Sequence, residues 1–396
     1  MDNSQINVIF DRLNALKPRL LSGDRVARKE TLHLSQKLTV QLEDPASAAV
    51  SLAYSPMIPI AARICVQLGV FKFIADHGKP IASRELASLS GGEELLVIRV
   101  LRAMTSIGFV DEVDELLWRA NPITRAMASE GIAAGHRLVG EFPVGAGQKA
   151  PKYLLETGYR CPTDAKAGFM QYAFQTTLPT FQFFSTMPRV LNDFDLWMGN
   201  TMGARDYWMD WYPIEERLIR EAAAAEEGSA LLVDVGGGKG HDVEAFRRKY
   251  PNQKGRLILQ DLASVTDRVQ GLDPAIEVMA YDFFTNQPVK GARAYFLHHV
   301  LHDWPDSKCM EILERVKAAM KPGYSRLLLH EMIIPNRGAS AFHAMHDLAM
   351  MMGNLGMERT ETQWRKLLED AGFVIVKIWL PPQDDGDGIV EAIIQG

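Results

Sequence analysis

Ten residues, Leu231 to Gly240, constrain this chain most: LLVDVGGGKG is an apolar run that closes on an acid and a glycine-rich turn, followed by the helical pattern DVEAFRRKY. A run of leucine and valine with little polar interruption reads as a strand buried on both faces, the pattern of a parallel sheet covered by helices. Gly236, Gly238 and Gly240 let the backbone pass a ligand closely and turn into the helix without a side-chain clash. Taken alone, such a loop suits a nicotinamide dinucleotide, a phosphate, an adenosyl group or a purely structural turn.

The residues after the turn narrow the choice. Beyond Ala230 apolar runs alternate with helical stretches: RLILQDL, AIEVMAYD, RAYFLHHVL, SRLLLHEMI, then a final pair near FVIVKIW and GIVEAII. This predicts an α/β, Rossmann-like doubly wound sheet over 216–396 with an antiparallel edge. Asp261 ends the run after the glycine turn, where a carboxylate accepts from both ribose hydroxyls; the plain alternative is a helix cap. Asp282 ends the third run, again at the carboxyl edge where ligands of such sheets bind, and is suited to an adenine amino group; otherwise it is a solvated loop acid.

The 396 residues are too many for one ordinary core. Ile6, Ile9, Leu13 and Leu16 recur at helical spacing, so Asp2 to about Leu42 reads as an amphipathic helix whose stripe needs a second domain or subunit. Residues 48 to 76 are more uniformly apolar and read as buried helices. Residues 79 to 128 give helix, Gly-Gly turn, helix and a short hairpin around Asp111 to Trp118, which is winged-helix order. Domains are therefore expected at 1–130 (helical, winged-helix), 131–215 (a helical linker rich in aromatics and methionines that contributes to an apolar pocket) and 216–396.

Charge bears on partners. The formal net charge of −6 gives no basic footprint, and the second helix of the winged-helix segment presents only Arg99 and Arg102, so DNA reading is not expected. Cys65, Cys161 and Cys309 match neither a disulfide framework nor a zinc site, and the N-terminus lacks a secretory pattern, which points to a cytoplasmic chain. The apolar runs are expected to fall short of the span of a bilayer, so no membrane partner is expected.

In order and spacing, VDVGGGKG, LQDL, YDFF, LHDWPDSKC, HEMIIP and ERTETQW resemble the small-molecule O-methyltransferases of the caffeate type found in plants, and the related fungal enzymes of secondary metabolism. The winged-helix segment also resembles that family's first domain. The resemblance implies a class I methyltransferase core, an N-terminal all-helical winged-helix dimerisation domain, an intertwined homodimer and S-adenosyl-L-methionine as cofactor. It places the methionine part of the donor on Asp234, Gly236 and Gly238, the ribose on Asp261 with Leu262 beside it, and the adenine between Asp282, Phe283 and Trp304. Plant members often carry a lysine, and fungal ones an arginine, where this chain has His298.

His302 follows the strand RAYFLHHVL, faces the expected crevice and has the ordinary imidazole basicity to take a proton from a hydroxyl. A base whose ring stays oriented needs an acceptor at its other nitrogen, and the resemblance assigns Glu331 and Glu358 to that pair. Asp303 reads as a structural acid. Metal catalysis is not expected, because strand alternation sends His298 and His299 to opposite faces. For the acceptor pocket the candidates are Phe174, Met187, His136, Met350 and Asn354, with plain core packing the alternative for each apolar one. Two rival functions stay open: a cofactor-assisted pericyclase or dehydratase on the same fold, which the resemblance ties to His298 and His136, and a ligand-sensing winged-helix regulator.

Overall fold

A computed structural model describes residues 3–203, 207–220, 228–381 and 386–395, and the chain divides into two compact units, Met1–Ala128 and Ser129–Gly396.

In the first unit, the expected single N-terminal helix is two, Asn3–Leu21 and Arg25–Leu42. Gly23, at φ +83°, turns the chain, and Asp24 caps the second helix by accepting from the Val26 and Ala27 amides. Arg12 and Glu30 tie the two together through a paired contact of 2.5 and 2.9 Å. Helix Pro45–Tyr54 buries nothing, and Val50, Leu52, Tyr54, Met57 and Ile60 stand exposed, so the burial expected from residue 48 begins only near Ala61. The 23-residue stretch Pro45–Gln67, which holds an 18-residue window of mean hydropathy 1.5, is by length and composition long enough to cross a membrane, which corrects the expectation that the apolar runs fall short of that span. Nor is the unit all helical. β1 (Ile81–Ala82), β2 (Asp111–Asp114) and β3 (Leu117–Arg119) form a small antiparallel sheet in the order β1-β3-β2 beside helices Ser83–Ser90 and Glu94–Ser106.

Among the described residues of the second unit, seven strands form the central sheet: β4 (Ala230–Val235), β5 (Arg256–Asp261), β6 (Ile276–Ala280), β7 (Ala294–His298), β8 (Arg326–Glu331), β11 (Val374–Trp379) and β12 (Gly388–Ile393). Their order is β11-β12-β8-β7-β4-β5-β6, parallel except for β12, which runs against both neighbours. The antiparallel strand thus lies one in from the edge instead of forming it. A further pair, β9 (Ile333–Ile334) with β10 (Arg359–Thr360), is parallel and lies outside this sheet.

β4 is buried along its whole length because both faces are covered: Val233 and Val235 pack with Leu297, Leu313 and Trp364, and Leu232 packs with Trp208, Phe246 and Phe296. At the β4/β7 junction the strand order reverses, which opens a crevice at the carboxyl ends where such sheets take ligands.

Helices between 130 and 203 lie in this unit too. Glu130–Glu141 packs against Pro188–Gly203 at Gly135, where a Cβ would fall 2.1 Å from Trp197. Farther along, Phe142 gathers Phe174, Phe183 and Phe184 at ring separations of 5.3, 6.2 and 4.8 Å. Residues 221–227, within the expected long charged helix after Pro213, lie outside the described residues.

Candidate active site

The glycine turn is built as its composition requires. Gly236, Gly238 and Gly240 hold φ of +73°, +60° and +83°, and the Gly236 and Gly237 amides donate to the Gln260 carbonyl. Asp261 ties the ends of β4 and β5 together, accepting from the Gly238 amide at 2.8 Å and its neighbour Leu262 at 2.7 Å. Burial raises the Asp261 carboxyl and those two amides pull it back. Each carboxylate oxygen keeps a further lone pair for a hydroxyl.

Asp234 is more demanding. It is buried with no side chain paired to either oxygen, and burial, then the charges of Asp242 and Asp261, push its carboxyl well above the usual range, the Val243 amide only partly offsetting them. A cationic ligand group at the turn would relieve that penalty. The turn has room for one, since a Cβ on Gly238 would meet nothing within 4 Å. Asp282 follows β6 at the same edge and accepts from the Phe284 amide, and Phe283 stands edge-on to Trp304 at 6.1 Å. Leu262 is about half exposed beside Asp261.

The histidines cluster more tightly than strand alternation allows. His299 is in the left-handed region at φ +51°, so the chain leaves the strand after His298 and the two imidazoles come to 4.5 Å instead of parting to opposite faces. His298 Nδ1 lies 2.8 Å from Asp242 Oδ2, whose other oxygen accepts from Trp208 Nε1. His299 faces Asp387 at 3.1 Å, and His330, at the end of β8, lies against His298 at 4.0 Å between ring centres. Burial and the nearby His298 drive His330 well below ordinary imidazole basicity.

His302 sits on the one-turn helix Leu301–Asp303, buried, with its ring stacked on His299. Nδ1 lies 2.7 Å from Glu358 Oε1 and 4.0 Å from Glu331, and Nε2 is 3.6 Å from Asp303. Burial pulls the ring's basicity down, but the carboxylates of Glu358 and Asp303 outweigh it and lift the pKa to about 10. Glu358 is itself held well below the carboxylate range: burial opposes this, and His302 and His346 more than offset it. Glu331 is lifted to about 7, burial outweighing the two imidazoles near it.

The two glutamates are not equivalent. Glu331 accepts from the Val300 and Leu301 amides and so holds the turn that carries the histidine. From the other side, the Met357 amide donates to the His302 carbonyl, and a Cβ on Gly356 would fall 1.9 Å from that oxygen.

A cavity of about 400 Å³ opens in front of this cluster. Phe181, Phe184, Phe194, Trp197, Trp211 and Phe342 line its apolar side, and His298, His299, His302, His330 and His346 its polar side, with Asp242, Asp303 and Asp387. Met350 and Asn354 are also in the wall, Asn354 donating to Asp303 at 2.6 Å. Phe174 and Met187 are instead packed into the Phe142 cluster, and His136, half buried on Glu130–Glu141, is absent from the wall. Of the residues expected at the cofactor only His298 lines the cavity; Asp234, Gly236, Gly238, Asp261, Leu262, Asp282, Phe283 and Trp304 are outside its wall, which meets the strand ends at His298 and at Asp242 after the glycine turn. Sequence reasoning missed Asp242, His330, His346 and Asp387. The signal for Asp242, directly after the glycine turn, was legible as a helix-start acid and no more.

Among the described residues, three sets bring donor atoms within 4.8 Å of one another: Asp242, His298 and His330; His298, His299 and Asp387; and His302, His346 and Glu358. Each contains an imidazole and a carboxylate already turned toward one another.

Residues 209–374 match the family model described as an O-methyltransferase domain. The O-methyltransferase penC of Penicillium thymicola is 48% identical over 388 residues, 98% of this chain and 96% of that one. The chain belongs to the O-methyltransferase family. Among solved structures, this methyltransferase superposes on LepI in complex with SAM at a TM-score of 0.86, with 30% identity over 96% of this chain and 97% of that one. It also superposes on a structure named as a pericyclic reaction enzyme, at a TM-score of 0.86 and 30% identity, covering 96% and 98% of the two chains. The second unit's mixed sheet belongs to a fold that this chain shares with those solved structures.

Proposed function

We propose that this S-adenosyl-L-methionine-dependent enzyme methylates a hydroxyl of a small, largely apolar secondary metabolite, aromatic or polyketide-like, with His302 as general base. The observation that carries the reading is the His302–Glu358 hydrogen bond on the wall of a mainly apolar cavity that adjoins the glycine-turn edge. A cavity of about 400 Å³ is of the size that takes one small molecule.

Asp234, buried with no side chain paired to it, fits the amino-acid end of the donor; Gly238 leaves room for it. Asp261 and Leu262 fit the ribose, Asp282, Phe283 and Trp304 the adenine, and His298 the junction with the cavity. When bound, the cofactor supplies a methyl group already activated on a sulfonium, whose positive charge disfavours a second cation on His302. Because ionised Glu358 only accepts, His302 Nδ1 is the donor and Nε2 is left to take the proton of an acceptor hydroxyl. The aromatic wall excludes water and aligns the oxygen.

A cofactor-assisted rearrangement on the same fold is the second reading, favoured by the His298–Asp242 pair on the cavity wall. Its other group, His136, is not on that wall. Incubating candidate aromatic hydroxyl compounds with the methyl donor separates the two. Products heavier by one CH2 unit support methyl transfer, and a product of unchanged mass supports rearrangement.

For the first unit we propose a winged-helix dimerisation role. Val8, Phe10, Val26, Val50, Leu52 and Tyr54 are exposed apolar side chains that a second copy of the chain would cover. Sedimentation equilibrium giving a monomer at micromolar concentration would refute this.

A further inference from the structure

Glu358 Oε1 serves two imidazoles at once: His302 Nδ1 at 2.7 Å and His346 Nδ1 at 2.9 Å. Since Glu358 is held firmly ionised, both ring nitrogens donate to it. The two rings lie nearly parallel, 24° apart in tilt and 6.1 Å between centres. They are otherwise unequal: the His302 side chain is 7% exposed, that of His346 28%, on helix Ala341–Asn354. No motif marked His346, which lies four residues before Met350 in the wall of the cavity.

We propose that His346 weakens the His302 base by competing for Glu358 Oε1, so that the ring holds its proton less tightly than it would with Glu358 to itself. The inference rests on the reading of His302 as base. An oxygen that accepts a second charge-assisted hydrogen bond stabilises the imidazolium of the first less. The surroundings of His302 make this matter: Glu331 faces it from the end of β8, Asp303 from its own turn, Glu358 from the segment before β10, and His299 from the turn after β7. Arg359 donates to the Leu301 carbonyl and does not face the ring. With three carboxylates around it, a base with Glu358 to itself would hold its proton more tightly still. His346 for its part meets Glu358, the Phe342 ring at 5.7 Å, and the field of Asp347, which accepts from the Glu358 amide. It acts through Glu358 and is a positioning residue.

The test needs no acceptor. In protein carrying ¹³C-labelled histidine and saturated with S-adenosylhomocysteine, the His302 resonance is the one lost in H302Q, and its titration midpoint is followed by NMR. H346F should raise that midpoint by about half to one pH unit, the size expected when one charge-assisted donor leaves a buried carboxylate. H346N, whose amide nitrogen stands where Nδ1 stood, should restore it, and H346Q, whose amide is one bond farther out, should behave as H346F. Should H346F fail to fold, the H346N and H346Q contrast carries the test. An unmoved or lowered midpoint in H346F, or identical midpoints in H346N and H346Q, overturns the proposal. Failure of the base assignment would show separately, as methyl transfer surviving in H302Q. Once an acceptor is in hand, the acid limb of the H346F rate profile should move upward with the midpoint, whereas a purely structural role would lower the rate by one factor at every pH.

Discussion

Glu358 Oε1 is 2.7 Å from His302 Nδ1, while the nearest Glu331 oxygen is 4.0 Å away and its partner oxygen holds the Val300 and Leu301 amides. Two acids that read alike in the sequence therefore do different things. E358Q should lower the rate by about 10- to 100-fold, the cost of losing the group that orients an imidazole. E331Q, whose amide oxygen still accepts from the two backbone donors, should lose less than that. Rates of the two variants beside their melting temperatures decide it; a larger rate loss in E331Q would reverse the assignment.

H302N should reduce methyl transfer by about 100- to 10,000-fold, the range for a removed general base. Affinity for S-adenosylhomocysteine by calorimetry should stay within a few-fold, since the glycine turn is untouched. A variant that still methylates at the parent rate would exclude His302 as the base.

His302 also links stability to pH. Its pKa is about 10 in the folded chain against an ordinary 6.5, so folding favours the protonated ring. That contribution is fully present below about pH 6.5 and is lost as pH rises through 10. The melting temperature of the parent should thus fall more steeply between neutral pH and 10 than that of H302N, and parallel curves would contradict the link.

The glycine turn separates folding from cofactor binding. A Cβ on Gly237 would fall 2.5 Å from Asp234 Cγ and 2.6 Å from Leu259, so G237A should cost about 1–3 kcal/mol of stability through overpacking. On Gly238 a Cβ meets open space, and G238A should cost only the left-handed strain of about 1 kcal/mol while weakening S-adenosylhomocysteine binding. Chemical denaturation and calorimetry on both variants read the two effects; equal losses of affinity and stability in G238A would count against the cradle.

Chelation should leave the rate unchanged, because the histidine and carboxylate groups of the cavity are turned to one another as hydrogen-bonded pairs. Activity lost to EDTA and restored by a divalent ion would show that one of these sets works as a ligand set.

The sheet and its carboxyl edge were legible because buried parallel strands leave long apolar runs, and because Asp234, Asp261 and Asp282 each end one. Alternation predicted that His298 and His299 part, and this failed at one residue: a left-handed His299 cannot be read from a strand pattern, since only the surrounding packing enforces it. Phe174 and Met187 resembled pocket residues because a pocket wall and a helical core use the same side chains. Asp242 and His346 were passed over for a related reason: what they touch lies 56 and 12 residues away in sequence, and no local spacing encodes it.

Arg359, fully buried, donates to the carbonyls of Leu301 and Trp304 and pairs with Asp306, while its neighbour Glu358 holds His302. One guanidinium thereby rivets the strip bearing the histidine and the tryptophan to the strip bearing the glutamate. The helices Thr180–Ser185 and Pro188–Gly203, which supply Phe181, Phe184, Phe194 and Trp197 to the wall, take no part in that rivet, so those side chains can be exchanged, and a new acceptor taken on, while the proton-handling parts keep their registration.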